Sequence, residues 1–472
     1  MSEPIADGVH EAEPGRPGAG FAGVAGVAGD GGFAGDGGDA AAATAPLWRL
    51  GPFRRFWLGE SISFVGNQVT ELALPLTAVL LLGASAGQMG ALTAVGFLPY
   101  LVFGLPAGVW VDRMRRQVVL VALDLISAAA VLVVPLAAAL GLLRIELLYV
   151  VTFVLGSTVV IFMVAYQSFV PTLVGRERIR EANAALEASS SATAVAGPGI
   201  GGLLVQWIGA PFALLADGLS FLVSAALVGS IRVDEPPPIR STAKGSSLAQ
   251  IREGIAYVAS TPALAALVQG GTIHNFFSRM IDALFVLYAS RELHLDAATI
   301  GLVVAAAGPG AFLGSLLAAR LPRWLGLGRT LWVSQLLTGA AQMLVPIAGV
   351  VAVSVAGPNA PTAAALVVAA GMVLLGIVRS VFNVNQVSLR LSITPDRMHG
   401  RMNASVRFVM WSVTPFGALA GGALASTALG LQGTLFLAAA GVFAATLPFL
   451  RPALRGLASM PPATPSATPE PD

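Results

Sequence analysis

The chain has 472 residues, 56% of them hydrophobic and only 11% charged, with a formal net charge of +2. A soluble domain carries about 25% charged residues, so this composition excludes an ordinary water-soluble fold and points to an integral membrane protein. There is no cysteine, which excludes disulfides, thiolate zinc and cysteine-held iron–sulfur clusters. The four histidines form no His-Glu-x-x-His pattern, so neither a metal, a cofactor nor an enzymatic activity is expected.

Residues 1–46 are rich in Gly, Ala and Asp, with Phe21-Ala22-Gly23 and Phe33-Ala34-Gly35 as a repeat-like pair. Such a segment cannot bury enough apolar area to offset its chain entropy, and a disordered tail is expected. It begins acidic and has no compact apolar run, so it does not read as a signal peptide. The Pro-rich end, residues 453–472, reads as a second disordered tail.

Between the tails lie twelve apolar spans, each long enough for the roughly 20 residues that a bilayer needs. Their limits are 56–82, 88–110, 117–142, 147–172, 184–208, 211–231, 262–290, 298–320, 330–352, 363–389, 403–426 and 431–450. Arginine and lysine test the topology. They cluster before span one (Arg49, Arg54, Arg55) and after spans two (Arg113, Arg115, Arg116), four (Arg176, Arg178, Arg180) and six (Arg232, Arg240, Lys244, Arg252). They recur after spans eight, ten and twelve, whereas the opposite loops carry only Arg144 and Arg291. Because basic loops stay in the cytoplasm, both termini are expected there, in a plasma-membrane protein.

A basic connector at 232–261 divides the chain into a first half, 47–231, and a second half, 262–452. Its Ser246–Tyr257 stretch has the pattern of an amphipathic surface helix. An internal repeat supports the division. Asn183 followed by Gly201-Gly202 recurs at the same spacing as Asn403 followed by Gly421-Gly422. Repeats of this kind place a substrate cavity at their interface near the bilayer midplane.

Three groups of residues are candidates for function. The stretch Gly104–Gln117, GLPAGVWVDRMRRQ, brings Gly108, Asp112, Arg113 and Arg116 to the turn between spans two and three, where the chain must leave the lipid. In span five, Gly197-Pro198-Gly199-Ile200-Gly201-Gly202 combines a helix-bending proline with small residues that admit a neighbouring helix. The third group is ionisable side chains inside the spans, each costing at least about 2.5 kcal/mol in a bilayer. Glu71 lies mid-span with Asn67 and Gln68 one turn before it, a polar face expected to line the cavity. A carboxyl group withdrawn from water favours its neutral form, the property a proton-coupling acid needs; the alternative is a permanent structural ion pair. Asp124 in span three is the second coupling candidate, with pairing to loop arginines as its alternative. Glu60 and Glu187 read as structural residues near span ends, and Asp217 as lying within reach of the outer surface. Arg279 and Asp282, three residues apart, are placed to neutralise each other, and His274 reads as a polar helix contact. Arg379, with Asn383 one turn on, needs a carboxylate or an acidic substrate group. Phe97, Tyr100, Trp411 and Phe416 are candidates for stacking on a substrate.

The Gly108-x-x-x-Asp112-Arg113-x-x-Arg116 pattern between two apolar spans resembles the loop signature of the major facilitator superfamily. The resemblance covers about residues 48–450. Its nearest branch is that of enterobactin-exporter and macrolide-efflux proteins, through Ser63-Phe64-Val65-Gly66-Asn67, Phe97-Leu98-Pro99-Tyr100, Ala182-Asn183-Ala184 and Ala216-Asp217-Gly218-Leu219-Ser220-Phe221. Gly197, Pro198, Gly201 and Gly202 resemble the helix-five motif of its antiporters. The resemblance implies an all-α fold of twelve transmembrane helices in two six-helix halves, working by alternating access. It implies proton-coupled export of a small organic molecule: a drug, a siderophore or a secondary metabolite. The expected partners are that substrate, protons and membrane lipids, with no nucleic acid, in a monomer. Alternative readings are a carrier of another metabolite or a lysophospholipid, and a non-transporting membrane sensor or scaffold.

Overall fold

A computed structural model describes residues 46–104, 106–233, 235, 247–355 and 357–461. The readings of the two tails therefore lie almost wholly outside the described residues, as does the middle of the connector. Among the described residues the structure is helical without strands. Twelve long rods follow one another: α1 Gly51–Leu81, α2 Ala86–Phe103, α3 Arg116–Ala139, α4 Ile145–Val174, α5 Ile179–Ile208, α6 Ala210–Gly229, α7 Pro262–Arg291, α8 Ala297–Ala318, α9 Leu327–Val355, α10 Gly357–Ser392, α11 Asp396–Ala425 and α12 Gly430–Leu450. Ten of them are long and apolar enough to cross a membrane. The other two, α5 and α7, are 30 residues each but less apolar, with Arg180, Glu181 and Glu187 at the start of one and Arg279, Asp282 and Arg291 in the other. The arrangement is consistent with twelve spans.

Several ends run past the apolar stretches: α5 starts at Ile179 rather than 184, and the helical run of α11 at Asp396 rather than 403. Local chemistry sets these boundaries. Ser85 and Gln88 form a reciprocal capping box at the start of α2, and Asp296 accepts from the Thr299 N–H at 2.7 Å at the start of α8. Gly175 and Gly209 end α4 and α5 with φ of 75° and 87°, a region open to glycine. The connector contributes one helix, Ser247–Ser260, whose Glu253 forms an ion pair with Arg401 at 2.7 Å.

How the first six rods meet the last six differs between the two ends of the bundle. At the end remote from Leu47 and Leu454, one apolar core is continuous from Val69 through Met280 to Ala439. Two glycine crossings close that end. A methyl group on Gly202 of α5 would lie 3.0 Å from the Gly301 Cα of α8, and one on Gly422 of α11 would lie 3.0 Å from the Gly90 Cα of α2. Neighbouring Gly201 faces Val69 of α1, and Gly421 faces Met280 of α7. The sequence repeat thus reappears as a repeated contact, each Gly-Gly pair holding one helix of its own half and one of the other. Only glycine permits backbones this close.

At the end near Leu47 and Leu454 the core divides. One cluster, from Leu47 to Ile231, stays within the first six rods, and another, from Val258 to Leu454, within the last six. The polar bonds divide in the same way. Arg55 donates to the Ser230 carbonyl at 2.7 Å, and Gln117 to the carbonyls of Val228 and Ile231. Tyr257 donates to the Ile393 carbonyl at 3.0 Å on the other side. The two sets of six are joined at the far end and separate at the near one.

Candidate functional site

Beneath the far seam lies a cavity of about 560 Å³. It is lined by α1, α2, α3, α4, α6 and α7, and its composition is one-sided. Glu60, Glu71, Asp124, Asp217 and Asp282 contribute five carboxyl groups, and among the described residues no Lys, Arg or His lines it. Around them are aromatic and sulfur-bearing side chains, among them Phe64, Phe97, Phe162, Phe221 and Met89.

The helices present these acids by simple periodicity. Glu60, Ser63, Asn67, Thr70 and Glu71 form one polar stripe along α1, and Asp217, Ser220 and Ser224 form another along α6. The stripes face each other: Thr70 donates to Asp217, and Ser220 donates to the same carboxylate at 3.1 Å. Asp217 is fully buried, Glu60 is 1% exposed and Asp124 3%. One oxygen each of Glu60 and Asp124 has no hydrogen-bond partner among the described residues. Glu60 and Asp217 were expected at the span ends, one structural and one near the outer surface; both instead belong to the cavity wall. Their i, i+3, i+7 polar stripes were the available signal.

Glu71 differs from these three. It is exposed, but to the cavity, and Arg279, Asp282 and Arg379 act on it electrostatically from the other half. Asn67 lines the cavity and donates to Ser63 at 3.5 Å. Gln68 does not line it: its side chain packs where Gly197 leaves room on α5. Arg279 and Asp282 form an ion pair at 3.0 Å, and the Arg279 guanidinium lies 4.7 Å above the Phe97 ring, a bridge between the halves. Arg379 and Asn383 are exposed on α10 and are not among the residues that line this cavity, although Arg379 acts electrostatically on Glu71. His274 makes a polar contact of 3.4 Å with Gln335.

The remaining candidates lie elsewhere. Asp112 and Arg113 are exposed at the end of a short helix, Pro106–Asp112, and Gly108 has open space beside it. Glu235 accepts from the backbone N–H groups of Arg116 and Gln117 at 2.8 and 2.9 Å, capping α3. Gly197, Pro198, Gly201 and Gly202 stand at the far seam, away from the near-end opening. Phe97, Tyr100 and Trp411 cluster with ring centroids 5.0 to 6.5 Å apart, while Phe416 is 59% exposed and takes no part.

A helical bundle of this design around a central cavity is the architecture of a major facilitator transporter. Residues 41–472 match the family described as transmembrane secretion effector, and the chain belongs to that family. It is 28% identical over 416 residues to the multidrug efflux pump Tap of Mycolicibacterium fortuitum, covering 85% of this chain and 97% of that one. It is 25% identical over 270 residues to macrolide efflux protein A of Streptococcus pyogenes, covering 57% of this chain and 66% of that protein. Among solved structures, a bacterial homologue of the iron transporter ferroportin in an inward-facing state superposes with a TM-score of 0.65 at 18% identity, covering 86% of this chain and 99% of that one. The nucleoside transporter NupG gives a TM-score of 0.66 at 10% identity, covering 84% and 99%. These likenesses establish the fold.

Proposed function

We propose that the protein is a proton-coupled antiporter that exports an organic cation with a large apolar or aromatic body. One observation carries this reading: five carboxyl groups share one cavity with no basic side chain among the described residues of its lining. Arg279 already neutralises Asp282, but like charges held together in a low-dielectric site repel strongly, so the other four cannot all remain ionised without a further counter-cation. A proton and an organic cation are the two that fit, and they compete for the same negative charge. Competition for one set of sites is the thermodynamic requirement of exchange. The aromatic lining supplies the apolar contacts and cation–π faces for such a molecule.

The efflux pumps among the relatives support export as the direction. The far end, closed by glycine crossings, then faces outward, and the divided near end faces the cytoplasm. Asp112, Arg113 and the capped start of α3 act in the conformational cycle, and Gly108 and Arg116 belong to the same hinge. Glu71 is the coupling acid facing the substrate; Asp124 is its competitor for that role. The chain acts as a monomer surrounded by membrane lipids.

Proton release on ligand binding tests the exchange directly. Adding ethidium to purified protein in weakly buffered detergent is expected to acidify the solution, with the amplitude lost in Glu71→Gln. Ethidium binding that releases no protons at any pH would contradict the reading.

A further inference from the structure

A second cavity, of about 200 Å³, lies between α2, α4 and α11, on the near-end side of the glycine crossing of α2 and α11. It adjoins the central cavity: Met163 lines both, and the cluster of Phe97, Tyr100 and Trp411 stands between them. Its chemistry is the opposite of the central cavity's. Among the described residues no acid lines it, and its single charge is Arg407. Arg407 is exposed, and none of the ion pairs among the described residues includes it. It stands eight residues after His399, about 12 Å along the helix. The charged group it interacts with most plainly is another arginine, Arg390 on α10, whose Nε is buried without a partner. An arginine that lines a largely apolar cavity with no carboxylate in the lining is a fitting seat for an anion. Beside Arg407 the walls are mainly apolar, with buried Val160 on α4 and exposed Phe408 on α11, and Tyr100, Gln167 and Ser412 are the polar side chains among them.

We infer that this side cavity binds an anionic amphiphile, its phosphate or carboxylate on Arg407 and its chain along Val160 and Phe408. The site is separate from the acidic cavity and does not depend on how that cavity couples to protons. Such a ligand can come from the bilayer, as an anionic phospholipid, or from solution, as a free amphiphilic anion.

Trp411 lines the site and reports on it. The protein is placed in phosphatidylcholine nanodiscs containing a minor fraction of phosphatidylglycerol brominated on its chains, and tryptophan quenching is compared with that of Trp411→Phe. A basic side chain near anionic lipid enriches it about fivefold, so the Trp411-dependent quenching is expected to exceed that by brominated phosphatidylcholine by about this factor. It should fall to the phosphatidylcholine level in Arg407→Gln, persist in Arg407→Lys, and weaken as salt is raised on the unmodified protein. Bromododecanoate added to plain phosphatidylcholine discs supplies the second arm. Selective quenching by bromododecanoate but not by phosphatidylglycerol would assign the site to a free anion; the reverse would assign it to a lipid. Equal quenching by the anionic and zwitterionic probes, or a salt-independent signal in the unmodified protein, would overturn the inference.

Discussion

Glu71 and Asp124 have different surroundings, and the difference makes their roles separable. Glu71 faces the open cavity and feels two arginines of the other half, whereas Asp124 is walled in beside Glu60 and Asp217. Glu71→Gln keeps the shape but removes the titrating group. It is expected to abolish uptake driven by a pH gradient while preserving downhill exchange of labelled for unlabelled substrate. If Glu71→Gln retains full gradient-driven accumulation and Asp124→Asn loses it, the coupling acid is Asp124. A second expectation concerns Thr70, which ties Asp217 to α1. Thr70→Val leaves a buried carboxyl group short of a partner, a loss of about 1–3 kcal/mol that would appear as a lower unfolding midpoint. An unchanged midpoint would mean that the Thr70 bond contributes nothing. Glu71 lines the cavity, as its position in the polar stripe of its span led one to expect, because position along a helix follows from counting residues. The sequence did not place Gln68, Glu60 or Asp217 correctly, because the direction a side chain faces depends on which helix lies opposite. Asn67 and Gln68 are adjacent in sequence, yet one lines the cavity and the other fills the space left by Gly197.

At the scale of elements, the glycine crossings are the parts that hold the far end shut. Gly202 and Gly422 each sit against a glycine of the opposite half with no space for a larger side chain. Gly202→Val or Gly422→Val is therefore expected to part α5 from α8 or α2 from α11. The absence of native cysteine leaves the chain free for paired spin labels at the far ends of these helices. Longer inter-label distances together with lost transport are expected; unchanged distances with full transport would mean that the crossings do not form the seam. The Gly-Gly repeat was legible as a repeat of two halves. Its partners Gly90 and Gly301 were not, since nothing local marks a glycine that meets a backbone from a distant span. The helices themselves were legible throughout, because apolar length is a local property. Boundaries slipped where polar turns extend a helix beyond its apolar stretch, as at Ile179.

For the molecule as a whole, orientation and exchange remain the properties to test. A reporter active only outside the cytoplasm is expected to be silent when fused at residue 240 and active at residue 357. The reverse would invert the assignment of the divided end to the cytoplasm. The charge ledger of exchange is also specific. If a monovalent organic cation leaves as one proton enters, no net charge crosses the membrane, and the pH gradient alone drives the cycle. The most direct test uses proteoliposomes with the divided end facing outward, ethidium supplied outside, and an acidic interior. Each unit of pH gradient should support about tenfold accumulation, collapse with nigericin, and be unaffected by a valinomycin-imposed potential. Accumulation that is equal with and without the pH gradient would contradict proton-coupled export of an organic cation.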